Sequence, residues 1–229
     1  MQIVTLGAGY LLVCMGFLMG ALFRLESSAV RVFAGLTALA IAFQYGHFLE
    51  HIVQVLAWIS GYTHAPYMTD VGYSLAHYLG QTFFSFDSPE RIHRLGMELL
   101  HLFGNAIFFV GILGLSVFMP TRMVQAALII QTLHLFEHVS LTLSLIMFDQ
   151  ALGLSTLFGM PLSEFTSVAY RVWLHFLLNA IPTTLVTYAL VIQLRQHIQF
   201  PSTSPRVRLP LDSVAKLGRA QPKAIIESR

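Results

Sequence analysis

Two octets of this chain carry the same polar residues at the same spacing. Gln44, His47, Glu50 and His51 form one, and Gln131, His134, Glu137 and His138 the other, so that both read Gln-x-x-His-x-x-Glu-His. Each is followed by a His-x-x-x-Asn pair, His101 with Asn105 and His175 with Asn179. In a helix, residues three, four and seven apart share a face, so every one of these segments presents its polar groups along one stripe. Imidazole with carboxylate suits iron, copper, zinc or manganese. The six histidines and the glutamates exceed the needs of one ion, which points to two metal ions, iron ahead of copper or zinc. The expected ligands are His47, Glu50, His51, Glu98, His101, His134, Glu137, His138 and His175. Glu50 and Glu137 are also the expected catalytic residues, bridging the metals or accepting protons. Gln44, Asn105, Gln131 and Asn179 are expected behind the ligands, orienting imidazoles. Glu98 and His101 have the Glu-x-x-His spacing of carboxylate-bridged di-iron sites in four-helix bundles, whereas Val172 takes the acid's place before His175.

Elements that could hold such stripes are apparent from composition. Of 229 residues, 55% are hydrophobic and 10% charged, and the mean hydropathy is +0.68. Soluble domains are about one quarter charged, so the chain reads as an all-α integral membrane protein. Five runs reach the roughly 20 residues that cross a hydrocarbon core: 3–23, 32–60, 94–119, 123–148 and 168–193. The first lacks the basic start of a signal peptide and is expected to stay as a helix. Spans two to five should form a four-helix bundle of two parallel repeated hairpins, 32–119 and 123–193, related by an axis along the membrane normal, with the first span peripheral. Counting at 1.5 Å per residue places His51 and His138 about 14–15 Å, and His101 and His175 about 10 Å, below the outer span ends, one layer in one half of the membrane.

Charge sets the expected topology. Residues 1–197 make the membrane domain and 198–229 a basic, Pro-rich, irregular tail. Arg195, Arg206, Arg208, Lys216, Arg219, Lys223 and Arg229 follow the last span, so the tail should be cytoplasmic and the N-terminus outside, in a bacterial-type plasma membrane. Arg24, Arg31 and Arg122 then fall in inner loops, and Arg91, Arg94 and Arg171 on the outer side. Residues 61–92 and 150–166, rich in aromatic or Leu, Gly and Met residues, read as interfacial segments capping the polar layer. The single Cys14 excludes a disulfide or a Cys-based metal site within the chain. Gln54, matched by Leu141 in the second octet, reads as packing.

The His-x-x-x-His spacing of His47/His51 and His134/His138 resembles the first histidine box of membrane fatty-acid desaturases and hydroxylases, which hold two irons. The likeness covers those octets only: the His-x-x-His-His boxes of that family are absent, and each octet here contains an interior Glu. The expected activity is a membrane oxidoreductase that hydroxylates or desaturates an apolar small-molecule substrate. No Gly-rich nucleotide motif is present, so electrons would come from a partner protein or larger membrane complex; nothing points to nucleic acid. Haem b between paired histidines, in an electron-transfer subunit, is one alternative, with Gly46 and Gly104 making room for the ring. Transport of metal ions or protons is another, against which stand the apolar runs 32–43 and 107–118.

Overall fold

The structure is a computed structural model that describes residues 28–199, with side chains for 32–195. The expected first span, with Cys14, and most of the basic tail lie outside the described residues. The chain divides into a unit of residues 1–191 and a second of 192–229, of which the described part, 192–199, is helical. The first unit holds both octets and both His-x-x-x-Asn pairs.

Every described element is a helix: α1 (Ser28–Ile59), α2 (Asp70–Phe84), α3 (Pro89–Phe118), α4 (Arg122–Phe148), a short 3-10 segment (Leu154–Gly159) and α5 (Glu164–Gln199). Four are long and apolar enough to cross a membrane, over Val32–Ile59, Pro89–Phe118, Arg122–Phe148 and Glu164–Arg195. Their starts follow local chemistry. Ser88 and Thr121 cap α3 and α4 with side-chain oxygens that accept from Arg91 N and Val124 N, and Pro89 opens α3 where its missing N–H leaves no bond unmade. Asp149 ends α4 in a left-handed conformation, φ 56°. Arg91 donates to the Asp149 side chain and to the Ile146 carbonyl, and Arg94 to the Asp149 carbonyl, which puts positive charge against the carboxyl end of a helix.

All four long helices contribute to one apolar core, including Ile41 from α1, Phe108 and Ile112 from α3, Val124 and Ala127 from α4 and Val186 from α5. This core fills the half of the molecule nearer the α3–α4 turn. Glycine allows the helices to close there: a Cβ at Gly111 would lie 3.0 Å from that of Ala40 and 3.2 Å from the Ile41 backbone nitrogen. Among lipid chains, packing of this kind replaces the hydrophobic drive that assembles soluble cores.

The opposite end differs from the sequence reading. Residues 61–92, expected as one interfacial segment, contain the 15-residue helix α2. Its buried face is Gly72, Ala76 and Gly80, small residues one turn apart, of which Ala76 and Gly80 lie on Ile92 and Gly96 of α3 and Gly72 lies against the Glu50 carboxylate. A Cβ at Gly80 would strike the Ile92 carbonyl and one at Gly96 the Ala76 carbonyl, so the two backbones touch. Both connections at this end also fold back beside the helices they leave. Thr69 reaches Glu50, nine residues before the end of α1, or roughly 14 Å back along the helix axis. Leu154 reaches Glu137, eleven residues before the end of α4, or roughly 16 Å back.

Candidate functional site

The six imidazoles of His47, His51, His101, His134, His138 and His175 come together between the apolar core and these folded-back connections. Ring centroids are separated by 4.8 Å for His47–His51, 5.5 Å for His47–His101 and 5.6 Å for His51–His101. The corresponding values in the second set are 4.9 Å for His134–His138, 5.9 Å for His134–His175 and 5.0 Å for His138–His175. Each octet thus supplies two corners of a triangle and the next His-x-x-x-Asn helix the third. The triangles meet through two stacked pairs, His101 on His138 at 5.4 Å and 10° and His51 on His175 at 6.1 Å and 11°. Gly104 makes room for the His47 ring, since a Cβ there would lie 3.4 Å from its Nδ1.

Proton positions follow from the partners. A carbonyl oxygen only accepts, so the Nδ1 of His101, 2.8 Å from the Met97 carbonyl, and that of His175, 3.0 Å from the Arg171 carbonyl, each carry the hydrogen. The Nδ1 of His51 likewise donates to Gln54 Oε1 at 3.0 Å. In the neutral ring Nε2 is then left with a lone pair. Nε2 of His51 lies 3.3 Å from Nε2 of His47, and Nε2 of His138 lies 3.2 Å from Nε2 of His134. Two nitrogens bound at 2.0–2.1 Å to one tetrahedral ion would stand about 3.3 Å apart. Donor atoms of His134, His138 and His175 all lie within 4.8 Å of one another, and all three residues are buried. Buried atoms without a hydrogen bond include His134 Nδ1, His138 Nδ1, His175 Nε2 and Glu98 Oε2. Such orphans are rare in finished interiors and mark places where another group is accommodated.

The carboxylates take other positions than the spacing suggested. Glu50 accepts from the backbone N–H of Thr69 on Oε1 and from the Thr69 hydroxyl on Oε2, both at 2.7 Å. Glu137 accepts from Leu154 N on Oε2 at 2.6 Å and from Ser155 N on Oε1 at 2.8 Å. Both acids expected to bridge metals therefore hold the amino ends of helical segments, where N–H groups and the helix dipole favour an anion. Gly153 is part of this fit, because a Cβ there would lie 2.7 Å from both Glu137 oxygens. The reason is the folded-back connection: it brings free N–H groups down to the level of the octets. Glu98 is buried and bound by Arg171, and its second oxygen lies 3.9 Å from His138 Nδ1.

The amides expected to orient imidazoles pair with one another instead. Gln44 donates to Asn179 Oδ1 at 2.8 Å, and Gln131 to Asn105 Oδ1 at 2.9 Å. Asn105 and Asn179 in turn donate to the carbonyls of His101 and His175, each at 2.9 Å. Each glutamine stands one turn below its histidine, level with the asparagine of a neighbouring helix, and the two amides satisfy each other there.

Arg171 and Gln54 join the site without having been expected in it. A lone arginine near a span boundary reads as a topology marker, yet its spacing of four to His175 places both on one face. Gln54 stands three residues after His51, the distance at which an amide can meet its imidazole. A cavity of about 80 Å³ lies against this layer, lined by His51, Gln54, His101, His138, Arg171 and His175 and covered by Pro66, Met68 and Met97. A water molecule needs about 10–15 Å³ of such space, so a few small molecules fit and an acyl chain does not.

Comparison with curated proteins and with solved structures finds no match. One family model, described as a family of unknown function (DUF6008), matches residues 8–213, which take in every described helix and every histidine of the cluster.

Proposed function

This chain belongs to the family of unknown function DUF6008, and on that premise we propose that it is a membrane metalloprotein whose six clustered histidines hold two metal ions, one in each triangle. The observation that carries this reading is the pair of Nε2–Nε2 separations, 3.3 Å and 3.2 Å, within triangles made the same way from separate parts of the chain. Those two contacts are also short enough for N–H···N bonds, but such pairing still leaves His134 Nδ1, His138 Nδ1, His175 Nε2 and Glu98 Oε2 buried without partners. With Glu50 and Glu137 bound by the connections, the donors facing the cluster are the imidazole nitrogens and one Glu98 oxygen beside His138. A set so rich in imidazole favours copper over iron in the order of divalent affinities. Charge bears on the oxidation state: Glu98 and Arg171 cancel, so Glu50 and Glu137 would balance two ions in a monovalent state, which copper has and zinc lacks, whereas higher charge among apolar helices costs more. Bound in this way, the ions would supply one-electron redox chemistry and open positions for a small ligand. The chain's residues hold the imidazoles in fixed tautomers, close the site with the folded-back connections and seal it from the α3–α4 turn with the apolar core.

The repeated contacts also support two hairpins, α1 with α3 and α4 with α5, related by a two-fold axis along the helices. Exchanging the halves turns Gln44–Asn179 into Gln131–Asn105, Glu50–Thr69 into Glu137–Leu154, and one stacked ring pair into the other. Were the apolar run 3–23 the fifth, peripheral span expected from the sequence, the connections carrying α2 and the 3-10 segment would face outward and the tail the cytoplasm of a bacterial-type cell. An electron-exchanging protein partner fits this reading. Haem fits less well, because stacked rings at 5–6 Å leave no slot for a porphyrin. Continuous transport fits less well still, because the core around Phe108 and Ile112 closes the path.

Metal analysis with an optical spectrum on the detergent-purified protein tests the reading. We expect about two copper ions per chain and no haem band, falling to about one in His134→Ala and in His47→Ala. Loss of both ions in either variant means one shared site, and no metal after reconstitution overturns the proposal.

A further inference from the structure

The cavity beside the cluster has a lining that selects its occupant. Its polar walls are the Arg171 guanidinium, the Gln54 amide and the edges of four imidazoles. Gln54 uses its oxygen on His51, which leaves its NH2 as donor, and Arg171 has only donors to offer. His138 and His175, 1% and 5% exposed, belong to this lining, and His138 Nδ1 and His175 Nε2 have no hydrogen-bond partner. The carboxylate nearest, Glu98, is already bound by Arg171. One face of a space of about 80 Å³ thus offers the N–H groups of Arg171 and Gln54 and the other the imidazoles whose lone pairs the metal ions would take; with those pairs engaged the space suits a small anion rather than a cation or an apolar molecule.

We propose that this cavity binds a small inorganic monoanion, of the size of azide or nitrite, between Arg171 and the imidazole cluster. The inference deepens the metal reading and rests on it for one face of the cavity: the side formed by His51, His101, His138 and His175 is where an open metal position would meet the anion. Arg171 and Gln54 form the other face and hold it from the side of the covering connection. The partly exposed Pro66 and Met68 are the entrance, and they belong to the α1–α2 connection hung on Glu50.

Azide is the probe, followed by its infrared stretching band in the detergent-purified protein, copper-loaded and copper-free. A saturable, shifted band is expected in the loaded protein, displaced by nitrite. Its midpoint should rise at least about tenfold in Arg171→Met, compared at matched copper content. Val172→Phe, which enlarges an apolar residue of the lining and removes no imidazole or charge, should abolish the band and stands in if Arg171→Met fails to fold. Copper bound with no azide band, or a band indifferent to both substitutions, overturns the anion site while leaving the metal reading intact. A saturable band that needs Arg171 in protein that takes up no copper keeps the anion site and sinks the metal reading. Neither copper nor a band overturns both.

Discussion

His51 and His138 occupy the same place in their octets, but the two halves of the cluster secure them by different means. In the first half, Gln54 of the same helix accepts the His51 Nδ1 proton at 3.0 Å. In the second, Leu141 stands where that amide would be, and the nearest acceptor for His138 Nδ1 is Glu98 of another helix, at 3.9 Å and tied to Arg171. One imidazole is thus oriented by a neutral, local contact. The other faces an ion pair assembled from α3 and α5. A local amide fixes a ring whatever its neighbours do, whereas the carboxylate arrangement depends on two further helices and brings charge to the edge of the site.

The connections differ in parallel. The first hangs on Glu50 at Thr69 and is then carried by Ala76 and Gly80 against α3. The second is held along one face of α4. Glu137 takes Leu154 and Ser155, Ser140 donates to the Leu152 carbonyl at 2.8 Å, and Ser144 accepts from Leu152 N at 2.7 Å. Such fastening maintains Leu157 and Phe158 at positive φ, 47° and 54°, conformations that non-glycine residues adopt only when their surroundings compel it.

The largest expected effect tests the ion pair. Arg171→Met leaves Glu98 charged and buried without its partner, and breaking such a pair costs about 3–5 kcal/mol, here toward the lower end because the arginine is partly exposed. Adding Glu98→Gln should recover most of the loss. Denaturant unfolding in micelles measures both, and a loss below about 1 kcal/mol in the single variant would show that the second half does not depend on the pair.

Next in size are the carboxylate anchors. Glu137→Gln replaces one accepting oxygen by a donor that opposes the Leu154 or Ser155 N–H. The local penalty of about 1–3 kcal/mol should speed amide exchange at those residues roughly five- to hundredfold. Glu50→Gln should expose the Thr69 amide in the same way while α2 keeps its protection, because the glycine-lined face on α3 remains. If α2 exchanges freely in that variant, the two connections are held alike and the contrast fails.

The smallest effect belongs to Gln54→Leu, which gives the first half the residue found in the second. Loss of one neutral hydrogen bond costs about 1 kcal/mol, and the nitrogen resonances of His51 should show its tautomer no longer fixed while those of His101 and His175 keep theirs. An unchanged His51 spectrum would mean that packing, not the amide, orients the ring.

Much of this architecture is legible in the sequence because polar residues at helical spacing inside apolar runs leave few readings. Four helices long enough to cross a membrane stand where the apolar runs 32–60, 94–119, 123–148 and 168–193 placed them. What the octets left out of reach was the direction of each side chain once loops entered. Glu50 and Glu137 looked like ligands because nothing in their helices could neutralise a carboxylate, and the donors that do so come from Thr69, Leu154 and Ser155, seventeen to nineteen residues downstream. Helix α2 stayed hidden behind its aromatic residues, although Gly72, Ala76 and Gly80 at intervals of four were a usable sign of close helix packing. The charge of Arg171 masked the face it shares with His175.

Three of the four donors that the octet glutamates receive are main-chain N–H groups. A hook that grips backbone is blind to the side chains it carries. After a duplication, the octets would remain under the discipline of their geometry, while each connecting segment could drift, lengthen or acquire a helix and still hang from the same carboxylate. That freedom accounts for a chain whose repeat is plain in its helices and untraceable in its loops, and it marks the loops as the part of this scaffold in which a new specificity can be written without rebuilding the centre.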